Sequence, residues 1–275
     1  MSKKLLASAA YDFPKSFKDL IKNVDPYYVP EPEVLQDDQI IVINNFFSKD
    51  LCQELIKSFE SQLKLETTPL IKSKEYAARY NDRASITDAQ AADVLWRYIK
   101  QILLASTNSC YEGGNGNDKE SSNNNEGEDE DNDNDDDADS DADADPDCAR
   151  IRRIFSSAVG LNPQLRVYRY TQGHHFGAHY DESVTCPIPL KGKQMGKTGW
   201  TLLIYLTGGE EFVGGGTIFH PEFHRGKQIS DYINVHPSKG MALLHKHGDS
   251  CLKHEAEIVR RGVKWVLRSD VVYPI

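Results

Sequence analysis

The sequence has 275 residues, 39% of them apolar, which suffices for one large globular domain or two small ones. No run of about 18 apolar residues predicts a membrane span, and the N-terminus lacks the features of a secretory signal. The net charge of −10 is unevenly distributed: Glu112 to Asp147 hold 17 acidic residues and one lysine, and the rest of the chain is mildly basic, at +6.

The five cysteines are odd in number, widely scattered and free of any Cys-x-x-Cys pair; they are Cys52, Cys110, Cys148, Cys186 and Cys251. This pattern argues against a disulfide framework and against a cysteine-ligated zinc site. A reducing compartment is the simplest interpretation, so we expect a cytoplasmic or nuclear protein.

The first predicted elements follow an N-terminal extension over residues 1–36. Residues 37–47, DDQIIVINNFF, are predicted to form a strand. The segment SKDLCQELIKSFESQLKL comes next and has apolar residues at helical spacing, with Ser48 as its predicted N-cap.

Two further helices are predicted on either side of the acidic segment. One is predicted to start at Thr87, where Gln90 three residues on completes a capping-box pattern. The other, CARIRRIFSSAVGLNP, is predicted to stop near Gly160. Residues 37–111 and 149–164 are therefore interpreted as one unit of a strand and supporting helices.

Residues 112–148 form an acidic insertion into this helical region. The segment has almost no apolar side chains and a dense block of like charge, so burial cannot offset the entropy cost of ordering it. We expect it to be disordered. A solvated insertion without a specific role is the simpler interpretation; a docking segment for a basic partner, including another part of the same chain, is the alternative.

From Leu165 onward the sequence changes to short runs rich in Val, Ile, Tyr and Trp, separated by Gly and Pro, such as GWTLLIYLT and VKWVLRSDVVY. These runs predict strands joined by turns. Helices followed by many short strands predict an α+β protein, in which the strands form a sandwich or barrel and the helices pack on one face.

The stretch HHFGAHYDES contains the first residues that point to chemistry. His179 and Asp181 stand two positions apart, so on a strand they point to the same face. The C-terminal part adds His254 and, ten residues later, Lys264. Two histidines and one carboxylate on one face of a metal suit non-haem Fe(II), because they leave positions open for a co-substrate and O₂.

The region from about Leu165 to Tyr273 resembles the 2-oxoglutarate- and Fe(II)-dependent dioxygenases, especially their prolyl 4-hydroxylase-like branch. Five segments match in order: YRYTQGHHFGAHYDES, TLLIYLT, GGGTIF, VHPSKGMALLHKH and KHEAEIVRRGVKWVLRSDVVY. The resemblance implies a double-stranded β-helix over residues 165–275, a cupin-like jelly roll with the metal in its mouth and the helices as N-terminal support.

By that resemblance, His179, Asp181 and His254 match the iron ligands. Lys264 matches the residue that pairs with the C5 carboxylate of 2-oxoglutarate, and Tyr170 matches a tyrosine that supports the same carboxylate. Lys264, Val266 and Arg268 alternate onto one face of the last strand, so Arg268 is the alternative anchor for the co-substrate.

The same resemblance implies an oxidative reaction. Its cofactor is Fe(II), its co-substrates are O₂ and 2-oxoglutarate, and its co-products are succinate and CO₂. Ascorbate is implied as the reductant that keeps the iron reduced. A C–H bond of a protein or small molecule would be hydroxylated, with a prolyl residue of a protein as the leading candidate.

Three other functions remain as alternatives. A non-catalytic β-domain would keep the fold and bind a partner through the acidic segment. A structural zinc site would use the same three ligands. A dioxygenase acting on nucleic acid would need a basic stripe, and the absence of one in the sequence argues against a nucleic-acid partner.

Other polar residues near these motifs favour ordinary roles. His174 and His175 are predicted to be solvent-facing loop residues, with contact to substrate as the alternative. His245 is predicted to be a core histidine or a neighbour of the metal ligands. Asn81 and Arg83 precede a predicted helix, so a capping or surface role is favoured over a place at the site entrance.

Overall fold

A computed structural model describes residues 11–23, 29–69, 77–109, 146–220 and 232–275. The α-helices are α1 (Lys15–Lys18), α2 (Lys49–Gln62), α3 (Ala89–Ser109) and α4 (Pro146–Phe155). Short 3-10 helices cover Leu20–Asn23 and Gly209–Glu211. The predicted disordered insertion falls largely on residues 110–145, outside the described residues.

Seventeen strands make up the rest of the described fold. They are β1 (Pro32–Gln36), β2 (Ile40–Ile43), β3 (Glu66–Thr67), β4 (Arg79–Tyr80), β5 (Asp82–Thr87), β6 (Gly160–Leu161), β7 (Gln164–Tyr170), β8 (His175–His179), β9 (Thr185–Pro187), β10 (Met195–Tyr205), β11 (Phe212–Gly214), β12 (Thr217–His220), β13 (Ile233–Val235), β14 (Ala242–Lys246), β15 (Lys253–Ala256), β16 (Val259–Gly262) and β17 (Lys264–Pro274).

Most strands belong to two antiparallel sheets. The larger sheet has ten strands and runs β1-β2-β14-β10-β17-β7-β5-β3, with β9 added to β10 and β6 added to β17. The smaller sheet has five strands in the order β13-β12-β15-β8-β4. A separate pair joins β11 to β16.

The chain crosses between these sheets in the manner of a double-stranded β-helix. β7 lies in the larger sheet, β8 in the smaller, β10 in the larger, β12 and β13 in the smaller, β14 in the larger, β15 in the smaller and β17 in the larger. The predicted fold class, an α+β protein with a double-stranded β-helix core, is confirmed.

Alternating side chains give the larger sheet two buried faces. On β2, Ile41 and Ile43 belong to the core that includes the helices, whereas Ile40 and Val42 belong to the core between the sheets. On β17, Leu267 faces the helices and Val266 faces the space between the sheets. The helices therefore cover one face of the larger sheet, and the opposite face is left to line the interior of the jelly roll.

The ends of the helices partly follow the sequence signals. Ser48 caps α2 as predicted, since its hydroxyl accepts a hydrogen bond from the amide of Leu51 at 3.2 Å. The prediction for α3 is wrong by one residue: Thr87 is the last residue of β5, and Asp88 accepts the hydrogen bond from the amide of Ala91 at 2.9 Å. Helix α4 ends at Phe155 rather than near Gly160.

The cysteines are in two chemical states. Cys52, Cys186 and Cys251 are buried free thiols, whereas Cys148 is disulfide-bonded. The sequence argument against a disulfide framework therefore does not extend to Cys148. Among the described residues, no helix combines the length and the apolar character that crossing a bilayer requires.

Candidate metal centre

The smaller sheet places two of the predicted ligands side by side. His179 is the last residue of β8, and its register partner on β15 is His254. Their imidazole rings lie 4.4 Å apart, centroid to centroid. Asp181 follows two residues after His179, just beyond the end of the strand, and its side chain turns back toward both histidines.

The three side chains converge at short range. The Nε2 atom of His179 lies 3.6 Å from one carboxylate oxygen of Asp181, and the Nε2 atom of His254 lies 3.7 Å from the other. One donor atom from each residue can be chosen so that all three lie within 4.8 Å of one another. Donor atoms that bind one ion at about 2.1 Å stand roughly 3 to 4 Å apart, so these spacings suit a shared metal.

Backbone hydrogen bonds orient both imidazoles for metal binding. Nδ1 of His179 contacts the carbonyl of Gly177 at 2.8 Å, and Nδ1 of His254 contacts the carbonyl of Leu252 at 3.1 Å. A carbonyl only accepts, so each Nδ1 carries a proton and, in the neutral ring, each Nε2 keeps its lone pair. Burial lowers the pKa of His254 to about 4, which keeps this ring neutral at pH 7.

Asp181 is held in its charged form. Its burial favours the neutral acid, but the guanidinium of Arg268, 3.1 Å from the carboxylate, acts together with His179, His245 and His254 to outweigh burial and lower the pKa of Asp181 well below its usual value. The hydroxyl of Thr201 donates a further hydrogen bond to the carboxylate at 2.8 Å. The donor set is thus two imidazole nitrogens and one carboxylate, a combination that fits Fe(II).

Two more histidines surround this carboxylate. His245 is buried on β14, with its Nε2 3.8 Å from Asp181 and its ring 4.4 Å from that of His254. His247 is also buried and contacts the hydroxyls of Thr201 and Thr198 at 3.0 and 2.9 Å. Burial lowers the pKa of both histidines. His245 is therefore a buried neighbour of the ligands, one of the two roles predicted for it.

A small chamber of about 50 Å³ continues from the ligands into the jelly roll. Lys264 lies at its inner wall, only 2% exposed, and its ammonium donates a hydrogen bond to the carbonyl of Gly215 at 2.6 Å. The same nitrogen lies 5.5 Å from the ring centre of Tyr170 and 5.2 Å from that of Tyr205. Burial lowers the pKa of Lys264 to about 7.

Arg268 lines the same chamber but has partners of its own. Besides Asp181, it donates to a carboxylate oxygen of Asp270 from Nε at 3.2 Å and from a terminal nitrogen at 3.0 Å. Burial favours loss of its proton, yet the two carboxylates raise the pKa of Arg268 above its usual value. Lys264 and Arg268 are the two alternative anchors predicted for a co-substrate. Arg268 already pairs with two carboxylates, whereas no carboxylate of the described residues lies within ion-pair distance of Lys264.

Sequence reasoning missed several residues of the site. Tyr168, Tyr205 and Thr217 line the chamber, and Tyr205 and Thr217 share a hydrogen bond of 2.7 Å between their hydroxyls. Arg79 also lines it, although it belongs to a two-residue strand with no periodic pattern. Only the alternation of residues along β7, QLRVYRY, carries a signal, since it places Tyr168 and Tyr170 on one face.

The structure contradicts the predictions for His174 and Asn81 and agrees with the prediction for Arg83. His174 is buried against Tyr80, with ring centres 4.3 Å apart, so its prediction as a solvent-facing residue is wrong. Asn81 is fully buried, which contradicts a surface role. Arg83 is exposed, as a surface residue should be, and lines a groove next to the ligands.

A comparison with protein families identifies the domain that carries this site. Residues 165–269 match the family described as the 2OG-Fe(II) oxygenase superfamily. The matched segment runs from the start of β7 to within β17 and contains all three clustered ligands. This match agrees with the family resemblance that the sequence motifs carry.

Several solved structures resemble this chain in fold. A viral collagen prolyl hydroxylase from Paramecium Bursaria Chlorella virus-1, in complex with 2OG, is 16% identical, with 86% of this chain and 96% of that chain covered and a TM-score of 0.47. A prolyl-4-hydroxylase from Pseudomonas putida is 13% identical, with coverage of 86% and 94% and a TM-score of 0.47.

A prolyl hydroxylase from Trichoplax adhaerens, in complex with a peptide fragment of the hypoxia inducible factor oxygen degradation domain, is 14% identical, with coverage of 86% and 84% and a TM-score of 0.47. A search of the curated proteins found no match.

Proposed function

We propose that this oxygenase hydroxylates a C–H bond of a polypeptide, with succinate and CO₂ as co-products and a prolyl residue as the leading candidate for the target. The convergence of His179, Asp181 and His254 carries the proposal, because these residues lie at the opening of a chamber that ends in a buried lysine. Ascorbate is proposed as the reductant.

The three ligands would hold Fe(II) through the Nε2 atoms of the histidines and the carboxylate of Asp181. Bound together, Fe(II) and 2-oxoglutarate supply the oxidising power: one atom of O₂ enters the substrate, and the other enters the succinate that forms as 2-oxoglutarate loses CO₂. The protein contributes ligand orientation, since backbone carbonyls fix both imidazoles and Arg268 and Thr201 fix the carboxylate.

The chamber fits the far end of a dicarboxylate. Lys264 offers its buried ammonium, and Tyr170, its register partner on β7, lies beside it. A carboxylate that enters this chamber meets a desolvated positive charge, where a charge-assisted hydrogen bond is stronger than in water. We therefore assign the C5 carboxylate of 2-oxoglutarate to Lys264, with Tyr170 as a supporting neighbour.

The proposal is tested by measuring metal content and succinate formation together. Wild-type protein loaded anaerobically with Fe(II) should bind about one iron and form succinate once O₂ and 2-oxoglutarate are supplied. His179→Ala and Asp181→Ala should lose both the iron and the turnover, whereas their folded far-UV spectra should persist. A library of peptides should reveal the target as a mass gain of one oxygen.

A matched control comes from a histidine outside the site. His236 is exposed and lies beyond the ligand cluster, so His236→Ala should retain iron and turnover. Full succinate formation by His179→Ala would contradict the ligand assignment. Zinc retained by the wild-type protein with no turnover after iron reconstitution would instead favour a structural metal site.

A further inference from the structure

A groove of about 1200 Å³ lies beside the metal ligands, between the two sheets. The larger sheet contributes residues of β5 and β7 that stand opposite each other in register: Arg83 beside Tyr168, and Ser85 beside Arg166. The smaller sheet contributes residues 176–179 of β8 and residue 79 of β4. Because His179 and Asp181 also line this groove, whatever occupies it reaches the metal centre.

The groove is positively charged. Its cationic side chains are Arg79, Arg83, Arg166, Lys253 and Arg268, and its carboxylates are Asp181 and Glu182. Arg268 forms ion pairs with Asp181 and Asp270, and Arg166 lies 3.7 Å from Asp270. Three cations of this groove have no carboxylate within ion-pair distance among the described residues: Arg79, Arg83 and Lys253.

Arg79 is the best placed of the three. Its guanidinium lies 4.8 Å from the ring centre of Tyr168 and 4.7 Å from that of Phe176, and Nε donates to the side-chain oxygen of Asn81 at 3.2 Å. These contacts fix the guanidinium without neutralising it. Arg79 lines both the groove and the small chamber, so it presents a half-buried positive charge where the two meet.

A second groove, of about 990 Å³, opens on the other side of the ligands and has the opposite charge. It shares Tyr180, Asp181 and Glu182 with the first groove. Apart from these shared residues, its charged side chains are Lys197 and Asp249. With Asp181 left out, because Arg268 balances it, two carboxylates face one cation in the second groove, whereas three unpaired cations face one carboxylate, Glu182, in the first.

We infer that the substrate is an extended polypeptide segment with acidic residues on only one side of the residue that is hydroxylated. The two grooves together exceed the volume of a typical small-molecule site, and they meet at the ligands, so a chain can lie across the centre. Acidic side chains would occupy the Arg79–Arg83–Lys253 groove. A nucleic acid, whose backbone is negative throughout, would be repelled by the second groove. This inference names the substrate class of the proposed hydroxylase and rests on that function.

The experiment measures binding rather than turnover. Fluorescently labelled nine-residue peptides carry a central proline and three glutamates, either before or after it, and two control peptides carry glutamine at the same positions. Equilibrium anisotropy on the full chain, without O₂, should show that only one of the two glutamate peptides binds more tightly than its glutamine control. Three partly exposed ion pairs correspond to a gain of about tenfold in Kd, which added NaCl should reduce.

Substitutions test which side chains bind the acidic residues of the peptide. The double variant Arg83→Gln, Lys253→Gln should lose most of the gain, and since both side chains are exposed, it should fold normally. Arg79→Gln should lose more of this gain in affinity than the double variant does, and Arg79→Lys should lose less of it than Arg79→Gln does. Lys197→Gln is the matched control, because Lys197 is an exposed cation of the second groove, and it should keep the preference.

Equal binding of glutamate and glutamine peptides, a gain for both glutamate positions, or tighter binding of an oligothymidylate than of any peptide would each overturn the inference. A higher Kd for 2-oxoglutarate in Arg79→Gln, with unchanged peptide binding, would assign Arg79 to the co-substrate instead. If the proposed function failed and this inference held, the results would differ from these. Acidic peptides would bind with this preference, but the iron-loaded protein would form no succinate with any peptide.

Discussion

Lys264 and Tyr170 lie directly opposite each other on the paired strands β17 and β7. Both side chains are buried, and the ammonium of Lys264 lies 5.5 Å from the centre of the tyrosine ring. The ring centre of Tyr205 lies 5.2 Å from the same nitrogen, and Glu257 is the acidic group whose charge raises the pKa of the lysine against the effect of burial. A lysine in such surroundings is charged only at a cost, and a carboxylate that binds beside it removes that cost.

The affinity for 2-oxoglutarate should therefore fall as pH rises above about 7. Burial lowers the pKa of Lys264 to about 7, so the protein without co-substrate increasingly holds a neutral amine above that pH, and a neutral amine forms no ion pair. The loss should approach about tenfold per pH unit. Anaerobic titration of the iron-loaded protein with 2-oxoglutarate at pH 6.5, 7.5 and 8.5 measures it.

Lys264→Arg provides the comparison, because an arginine stays charged throughout this range. Its Kd for 2-oxoglutarate should vary little with pH, whereas Lys264→Ala should bind weakly at every pH. The same pKa affects folding: between pH 7 and about 10 the unfolded chain binds more protons than the folded one, so the free energy of unfolding should rise with pH across this window. A wild-type Kd that is equal at pH 6.5 and 8.5 would contradict the assignment of Lys264.

Arg268→Met should destabilise the fold more than it weakens co-substrate binding. Arg268 balances the buried carboxylates of Asp181 and Asp270, and its loss leaves them uncompensated. Removing one partner of a buried ion pair costs about 3–5 kcal/mol in the free energy of unfolding, which urea denaturation of the metal-free protein measures.

The control for this change is Arg166→Met on the neighbouring strand. Arg166 lies farther from Asp270, at 3.7 Å, and is more exposed, so its loss should cost under about 1 kcal/mol. If Arg268→Met left the free energy of unfolding unchanged and raised only the Kd for 2-oxoglutarate, Arg268 would be the co-substrate anchor in place of Lys264.

The residues of the candidate metal centre were largely predictable because they carry local signals. His179 and Asp181 stand two positions apart at the end of a strand, His254 lies in β15, and Lys264 begins β17, the last strand of the chain. The sequence cannot show that β8 and β15 pair in the register that sets His179 against His254. That register depends on contacts between segments far apart in the chain, which only the closed fold brings together.

The supporting residues were less predictable for a related reason. Thr201 lies in the middle of β10, where its side chain could equally be a packing residue, and only the folded structure sets it 2.8 Å from Asp181. Arg79 precedes the predicted helix region in a segment without periodicity. Buried polar networks of this kind follow from tertiary contacts, and composition or spacing carries little trace of them.

Thr201→Val should lower stability and disturb the ligand carboxylate. The Thr201 hydroxyl donates to Asp181, so its oxygen must accept the Nδ1 proton of His247 at 3.0 Å, which leaves the His247 Nε2 to accept from Thr198 at 2.9 Å. Valine keeps the shape but leaves the buried His247 N–H without an acceptor, at a cost of about 1–3 kcal/mol.

Urea denaturation measures this cost, and iron titration should show a weaker metal affinity in the same variant, by roughly tenfold or more, because a partner of the ligand is lost. Thr185→Val is the control, since Thr185 is exposed on β9 and should change neither quantity. An unchanged free energy of unfolding together with unchanged iron affinity in Thr201→Val would rule out the network as a support of Asp181.

The start of α3 gives a direct comparison between a sequence signal and the structure. Thr87 and Gln90 satisfy the capping-box pattern, yet Thr87 ends β5, where it stands in register with Gln164 of β7. Asp88 accepts from the amide of Ala91 instead, and its negative charge also favours the N-terminal end of the helix dipole. Asp88→Ala should therefore lower the free energy of unfolding by about 1 kcal/mol, whereas Thr87→Ala should lower it by less than half of that, as chemical denaturation of both variants would show. A larger loss for Thr87→Ala would mean that the helix begins one residue earlier in solution, with the threonine as its cap.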